Sequence, residues 1–382
     1  DVYQTGSGTS TNMNANEVIA TLATRTLGQK VHPNDHVNRG QSSNDTFPTA
    51  LDLAVALAVR DDLLPALRHL AAALDDKARA WDRVVKVGRT HLMDATPIRV
   101  GQVFAGYAAQ ARSAVARAEQ ALRLSTSRLA IGGTAVGTGI NTHPRFAALV
   151  CEDLSRRLGM PCGEAENHPE AQATRDHNVQ AHALLKTVAV SLGKIANDIR
   201  LLGSGPRCAI GELQLPATQP GSSIMPGKVN PVMCESVVQV ACRVIGNDAT
   251  VTTAALGGVG SLFELNVAMP VIADAMLESV ALLANVTSAL VDKCITGLAV
   301  DESRCSELLD RSLMTVTALA PVLGYDRCAA LAKRALAEGR TIRELVRSEG
   351  LLPDAELDHL LDPLAMTGPG EEGSGQEEGS RK

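Results

Sequence analysis

A regular spacing of apolar residues over two long segments constrains the fold of this chain more than any other feature. In 178–203 the apolar residues recur in steps of three and four, at Leu185, Val188, Leu192, Ile195, Ile199 and Leu202. In 267–295 the same spacing carries Met269, Ile272, Met276, Leu283, Val286 and Leu290, and polar Ser279 interrupts it. A 3/4 pattern sustained over segments this long is typical of helices packed in a bundle.

Three further segments, 48–80, 99–129 and 232–256, also have helical composition. Aromatic residues make up only 2% of the 382 residues, so the core must be built from aliphatic side chains. Strand patterns are essentially absent. The sequence therefore predicts an all-α fold with a long central helical bundle. Segment 187–195 is apolar on more than one face, which indicates a helix covered all round by neighbours from the same chain or another.

Charge and cysteine usage exclude several classes of function. The formal net charge is −6 with no basic block, which argues against nucleic acid as a partner. We find no apolar stretch that is long enough and sufficiently free of charge to span a bilayer, so we expect no membrane partner. The eight cysteines are dispersed without a C-x-x-C pair, as in reduced thiols of a cytoplasmic protein. We expect neither a metal nor another cofactor. Segment 367–382 is rich in Gly, Glu and Ser and is predicted to be a disordered tail.

Four segments rich in small polar residues interrupt the helical pattern: 5–17, 31–49, 88–97 and 219–235. Taken singly, each is typical of a turn, a helix N-cap or a surface loop. Together they supply hydroxyls, amides, one lysine and one histidine, which suits a small dicarboxylate bound by many neutral donors and little fixed positive charge. A dinucleotide-binding interpretation of GGTAVGTG at 132–139 fails because no strand precedes it.

The segment GSSIMPGKVNP at 221–231 resembles the signature of the fumarase/aspartase superfamily. The resemblance covers Asp1 to about Met366 and is strongest to class II fumarases, on DVYQTGSGT, VHPNDHVN, SSNDTFPTA and MPGKVNPVMCE. Aspartases typically carry Ala in place of Gly227. The segment GTSTNMNANEVIA at 8–20 is shared by both groups and does not discriminate.

The resemblance implies a fumarate hydratase that adds water to fumarate reversibly and in anti geometry, giving L-malate through an aci-carboxylate, as in the tricarboxylic acid cycle. The alternative is an aspartate ammonia-lyase on the same fold. A structural or regulatory protein that has lost activity is disfavoured because Ser222, Lys228, Asn230, His91 and Glu235 are all present. A cofactor enzyme lacks a supporting motif.

The resemblance also implies roles for individual residues. Ser222 would be the catalytic base, and His91 would act in acid/base chemistry through a water, with its charge supported by Glu235. Lys228 and Asn230 would hold the carboxylate that becomes the aci-carboxylate. The remaining substrate-binding residues would be Ser7, Gly8, Thr9, Ser42, Ser43, Asn44, Thr90, Ser223 and Val229. A second dicarboxylate site would comprise His32, Pro33, Asn34 and Asp35.

Three domains and a tail are expected on the same basis. Residues 1–41 would form the remainder of an N-terminal lyase domain, since the resemblance begins in mid-domain, and 42–298 the central helical bundle. Residues 299–366 would form a small helical C-terminal domain, followed by the tail at 367–382. The family assembles as a homotetramer with each active site shared between subunits, which agrees with the helices expected to be buried all round.

Overall fold

The computed structural model describes residues 1–369, which fold mainly into α-helices, as predicted. The helices are α1 Thr9–Leu27, α2 Ser43–Ala58, α3 Leu64–Ala80, α4 Val100–Thr126, α5 Phe146–Leu158, α6 His168–Ala173, α7 Asp176–Leu202, α8 Val232–Ala255, α9 Met269–Leu290, α10 Glu302–Arg311, α11 Ala320–Leu323, α12 Tyr325–Glu338, α13 Ile342–Ser348 and α14 Asp354–Leu360. Short π-helical turns at Pro33–Val37, Val59–Leu63 and Val291–Ile295, and 3₁₀ turns at Leu313–Leu319 and Ala365–Thr367, join or extend them. All five segments predicted to be helical are confirmed.

The short strands form three antiparallel pairs. Strand β1 (Val85–Thr90) pairs with β2 (Met93–Arg99), β3 (Leu213–Gln214) with β6 (Ala299–Val300), and β4 (Ser261–Leu262) with β5 (Leu265–Asn266). The prediction that strand patterns are essentially absent was wrong for 85–99. The signal was weak because the turn between β1 and β2 is His-Leu, without the Asn-Gly or Asp-Gly pair that usually marks a two-residue hairpin turn.

The chain divides into two compact units. The first comprises Asp1–Leu70, Gln110–Asn197 and Val232–Val291. In this unit α9 packs along α8 and also against α2. The apolar positions that predicted the bundle are buried in α9 from Met269 to Leu290, and Ser279 among them is fully buried. The spacing of three and four residues therefore marks the face of the helix that packs.

The second unit comprises Ala71–Ala109, Asp198–Pro231 and the described residues from Asp292 onward. It contains the β1–β2 hairpin, the β3–β6 pair and helices α10 to α14. The C-terminal helices enclose their own apolar cluster, with Leu319, Leu331, Leu345 and Leu357 at its centre. Residues 370–382, most of the predicted disordered tail, lie outside the described residues, while Thr367 ends a 3₁₀ turn.

One expectation about membranes needs correction. Within residues 1–369 one helical segment, Met269–Ile295, is long and apolar enough to cross a bilayer by length and composition, with a mean hydropathy of 1.5. The expectation that the chain has no such stretch is therefore wrong for this segment. Of its most apolar window, 56% is buried inside the structure. Burial on the face that meets α8 and α2 is the arrangement of a core helix.

Candidate active site

The loop that precedes α8 holds Ser222 in a conformation that favours negative charge on its oxygen. The Ser222 Oγ accepts the backbone N–H groups of Ile224 and Met225, at 3.1 and 2.9 Å. Two N–H groups directed at one oxygen form a small anion-binding concavity. Such a concavity stabilises a serine oxygen that has lost its proton, which is what a serine base requires.

The same loop brings Lys228 close to Ser222. Met225 to Lys228 form a tight turn, in which the Lys228 N–H donates to the Met225 carbonyl at 3.2 Å and Gly227 has a φ of 81°. Proline at the second position of a turn, followed by a residue of positive φ at the third, is the type II pattern, and glycine adopts that φ without strain. The Gly221 backbone packs so closely against Lys228 that a Cβ on Gly221 would lie 1.3 Å from the Lys228 carbonyl oxygen. The loop thus closes on itself, with its lysine exposed.

The tip of the β1–β2 hairpin presents Thr90 and His91. Thr90 pairs with Met93, and the two turn residues, His91 and Leu92, have φ values of 58° and 60°. Both side chains are exposed. Non-glycine residues with positive φ store strain, and such strain is concentrated at functional sites.

A buried ion cluster anchors strand β1 of the hairpin. Both terminal nitrogens of Arg89 donate to Glu212, each at 2.9 Å, and the Lys86 ammonium lies 3.1 Å from the same carboxylate. Glu212 is only 1% exposed. Burial lowers the pKa of Lys86, and the Glu212 charge opposes that shift. The sequence analysis did not single out Arg89 or Glu212, because a lone Glu far along the chain gives no signal of a partner.

In the first unit, the predicted residues at 7–9 and 42–44 come together. The hydroxyls of Ser7 and Thr9 lie 2.8 Å apart, and those of Thr9 and Ser43 lie 2.9 Å apart. Gly8 has a φ of 75°, and a Cβ there would come within 2.1 Å of the Phe47 ring, so this position requires glycine. Segments 34 residues apart in sequence therefore share one chain of hydroxyl hydrogen bonds.

Ser42 and Asn44 begin helix α2. The Ser42 Oγ accepts the Asn44 N–H at 3.2 Å, and the Asp45 carboxylate accepts the Ser42 N–H at 2.9 Å, which makes a capping box. The other Asp45 oxygen accepts the N–H groups of Gly132 and Thr134. The glycine-rich segment at 132–139 is thus a neighbour of the predicted substrate-binding residues.

The segment His32 to Asp35 forms a capped π-helical turn. The His32 Nδ1 accepts the N–H groups of Asn34 and Asp35, both at 3.2 Å, and the His36 Nδ1 accepts the His32 N–H at 2.9 Å. The predicted members of the second dicarboxylate site are thus neighbours in one turn. Its role as a binding site stays a prediction.

Glu235 lies in the first turn of α8 and its side chain is exposed. Its predicted support of His91 stays a prediction. Asn230 and Val229 complete the loop that carries Ser222, and Ser223 is exposed beside it.

A second polar cluster, which the sequence analysis missed, lies in the helical core of the first unit. His182 on α7 lies 3.1 Å from Asp248 on α8 through Nδ1 and 2.9 Å from Ser279 on α9 through Nε2. Lys186 lies 2.5 Å from the other Asp248 oxygen, and Asn247 donates to Ser279 at 3.1 Å. The polar interruption at Ser279 in the apolar spacing was the available signal.

No group of three or more His, Cys, Asp or Glu side chains that could hold a metal ion occurs among residues 1–369. The arrangement in both units is instead one of hydroxyls, amides, backbone N–H groups and single charged side chains. Such a set can bind carboxylates and place one activated serine.

Comparison with known proteins agrees with these features. Residues 1–246 match a family model described as lyase, and the fold and loops define the chain as a member of that enzyme class. Residues 316–368 match the model of the fumarase C C-terminus. The chain is 52% identical over 377 residues to the class II fumarate hydratase of Methylorubrum extorquens, covering 97% of this chain and 79% of that protein. It belongs to the class II fumarate hydratase family.

Two solved structures are similar as well. The class II fumarase from Schistosoma mansoni superposes with a TM-score of 0.91 at 40% identity, covering 96% of this chain and 80% of that one. A fumarate lyase:delta crystallin from Brucella melitensis, bound to cobalt, gives a TM-score of 0.92 at 45% identity, covering 97% and 80%. These likenesses confirm the predicted all-α fold of the fumarase/aspartase type.

Proposed function

We propose that this chain catalyses the reversible hydration of fumarate to L-malate, a reaction of the tricarboxylic acid cycle. The observation that carries the proposal is the pair of N–H groups donated to the Ser222 Oγ, within a family of fumarate hydratases. A proton next to a carboxylate is only weakly acidic, so removing it requires an activated base together with stabilisation of the resulting dianion. The loop at 221–231 contains both the N–H groups that would activate Ser222 and the lysine, Lys228, that would stabilise the dianion.

The proposed roles follow the chemistry of each group. In the direction from malate to fumarate, Ser222 removes the proton from the carbon adjacent to the one bearing the hydroxyl, and Lys228 with Asn230 holds the carboxylate that becomes doubly charged. His91, acting through a water, protonates the departing hydroxyl, and Glu235 supports its charge. Hydroxyl and amide donors bind the substrate carboxylates; they are Ser7, Gly8, Thr9, Ser42, Ser43, Asn44, Thr90, Ser223 and Val229. His32, Pro33, Asn34 and Asp35 form a second dicarboxylate site.

The comparisons give no support to the aspartate ammonia-lyase alternative, since the similar curated proteins are class II fumarate hydratases.

The proposal includes a homotetramer in the cytoplasm with active sites shared between subunits. Support comes from apolar side chains that remain exposed on otherwise packed helices, among them Val190 on α7 at 56% and Ile19 on α1 at 50%. Ile224, next to the Ser222 loop's turn, is 86% exposed. Covering such side chains is favourable at roughly 25 cal/mol per Å² of apolar area.

An absorbance assay tests the proposal directly. The ultraviolet absorbance of fumarate is followed in buffer alone and in buffer with ammonium, and the product is identified. We expect malate in both and no aspartate. Aspartate formed only with ammonium would overturn the proposed reaction in favour of the ammonia-lyase.

A further inference from the structure

Asp45 is a fully buried carboxylate that follows the proposed substrate-binding residues Ser42 to Asn44 directly in sequence. Its Oδ1 accepts the Ser42 N–H at 2.9 Å, which completes the capping box of α2. A helix cap requires nothing beyond this bond and the one to the Ser42 hydroxyl. An ordinary cap also lies at the surface, where water solvates the carboxylate.

The second carboxylate oxygen of Asp45 binds a different part of the chain. Its Oδ2 accepts the N–H groups of Gly132 and Thr134, at 3.0 and 2.9 Å, from a segment almost 90 residues further along the chain. Burial raises the pKa of Asp45, and the backbone N–H groups of Ser42, Thr134 and Gly132 oppose that shift. A buried carboxylate with three backbone donors joins two segments, which goes beyond what helix capping needs.

The joined segment in turn orients Asn44. The Asn44 Nδ2 donates to the Ala135 carbonyl at 2.8 Å. Since a carbonyl can only accept, this bond decides which end of the amide faces the segment. The position of Ala135 therefore sets the direction of the remaining Asn44 donor, and Asp45 holds Gly132 and Thr134, the second of which directly precedes Ala135.

We propose that Asp45 is a positioning residue of the active site, which ties segment 131–135 to the start of α2 and thereby aims the Asn44 amide and the adjacent serines at a substrate carboxylate. Asp45 does not touch the substrate. This role rests on the proposed function, because the ligand is taken to be a dicarboxylate. It also gives a function to segment 131–135, to which the proposed reaction assigns none.

The test compares Asp45→Asn with a matched control, Asp52→Asn. Asp52 is a buried carboxylate on the same helix, 2% exposed, and it bonds to His177 and Asn178 instead of the 131–135 segment. Succinate, an unreactive dicarboxylate, serves as the binding probe in calorimetry, and fumarate turnover is measured in parallel. A hydrogen bond accepted by a charged carboxylate contributes enough free energy that its loss changes an equilibrium constant about tenfold or more.

For Asp45→Asn we expect the succinate Kd and the fumarate KM to rise about tenfold, with a smaller fall in kcat. For Asp52→Asn we expect a comparable loss of thermal stability with Kd and KM within about twofold of the unmodified protein. A Kd and KM unchanged in Asp45→Asn, or raised equally in both variants, would overturn the positioning role. If the unmodified protein binds succinate without hydrating fumarate, only the proposed reaction fails.

If Asp45→Asn does not fold, hydrogen exchange of the unmodified protein, measured with and without succinate, tests the positioning role instead. The role predicts that succinate protects the amides at 42–46 and 131–135 together, while the amides at 176–179 stay unchanged. Protection of one segment without the other would contradict it.

Discussion

Individual residues with positive φ occupy the loops that carry the proposed chemistry. His91 and Leu92 form the hairpin turn, Gly8 lies between two substrate-binding residues, and Gly227 precedes Lys228. At Gly8 a side chain would collide with Phe47, but at Gly227 nothing lies within 4 Å of an added Cβ. Glycine is therefore required at position 227 only for its backbone conformation. Replacing it with alanine tests that requirement, because the added methyl group would touch no neighbouring atom.

Gly227→Ala is expected to strain the turn by about 1 kcal/mol, and so to displace Lys228 and lower kcat/KM about fivefold or more. Gly339→Ala is the matched control, since Gly339 ends α12 with a φ of 66° and also has open space around its Cα. Enzyme kinetics and thermal unfolding are measured for both. The control should lose stability and keep its kinetics; a Gly227 variant with normal kcat/KM would show that the turn does not position the lysine.

Among the helices, one polar interruption of the apolar seam explains how three of them are held in register. Ser279 on α9, His182 on α7 and Asp248 on α8 form a hydrogen-bonded row, with Lys186 at its partly exposed end and Asn247 beside it. A single polar group in an otherwise apolar interface specifies register, because any other alignment would leave it without partners.

The row also predicts a pH dependence of stability. Burial lowers the pKa of His182 below 6.5, while the bond to Asp248 opposes that shift and the nearby Lys186 adds to it. The unfolded chain therefore binds a proton as the pH falls below 6.5 and the folded protein does not, so stability present at neutral pH is lost in acid. In His182→Gln this part of the loss should disappear when unfolding free energies between pH 7.5 and 5 are compared. An identical pH dependence in both proteins would contradict the assignment.

The sequence predicted the elements that carry a repeated apolar spacing, and it did not predict contacts between residues that are distant along the chain. The 3/4 spacing predicted α7 and α9 and their buried faces correctly. The β1–β2 hairpin was missed because its turn residues are His91 and Leu92, which carry no turn signal. The hydroxyl pairing of Thr9 with Ser43 and the bonds of Asp45 to the 132–134 segment were also unpredictable, because they join residues that only the fold brings together. The clustering of Ser222 and Lys228 followed from their closeness in the chain.

On the scale of the whole molecule, we propose that one chain does not make a complete active site. The Ser222 loop and the His91 hairpin belong to one compact unit of the chain, and the Ser7–Ser43 hydroxyls to the other. Exposed apolar residues on α1, α7 and the Ser222 loop are the surfaces expected to be covered in a homotetramer.

Subunit mixing tests this assembly. We propose that each site takes Ser222 and Lys228 from one subunit and takes His91 and the Ser42–Asn44 segment from others. Ser222→Ala and His91→Asn are then each expected to lose nearly all activity, and mixed tetramers should recover part of it because some shared sites contain both native residues. Sedimentation checks the tetramer, and a tagged subunit confirms mixing. An active monomer, or no recovery from demonstrably mixed tetramers, would contradict shared sites.

The most direct test of the central claim is the stereochemistry of the malate formed from fumarate in deuterated water, followed by NMR for the native protein and Ser222→Ala. We expect the native protein to form one diastereomer, with a single deuteron added anti to the hydroxyl. We expect Ser222→Ala to be slower by about 10²- to 10⁴-fold, as for loss of a general base. A mixture of diastereomers, or deuterated malate formed by Ser222→Ala at the native rate, would contradict hydration by a serine base at this loop.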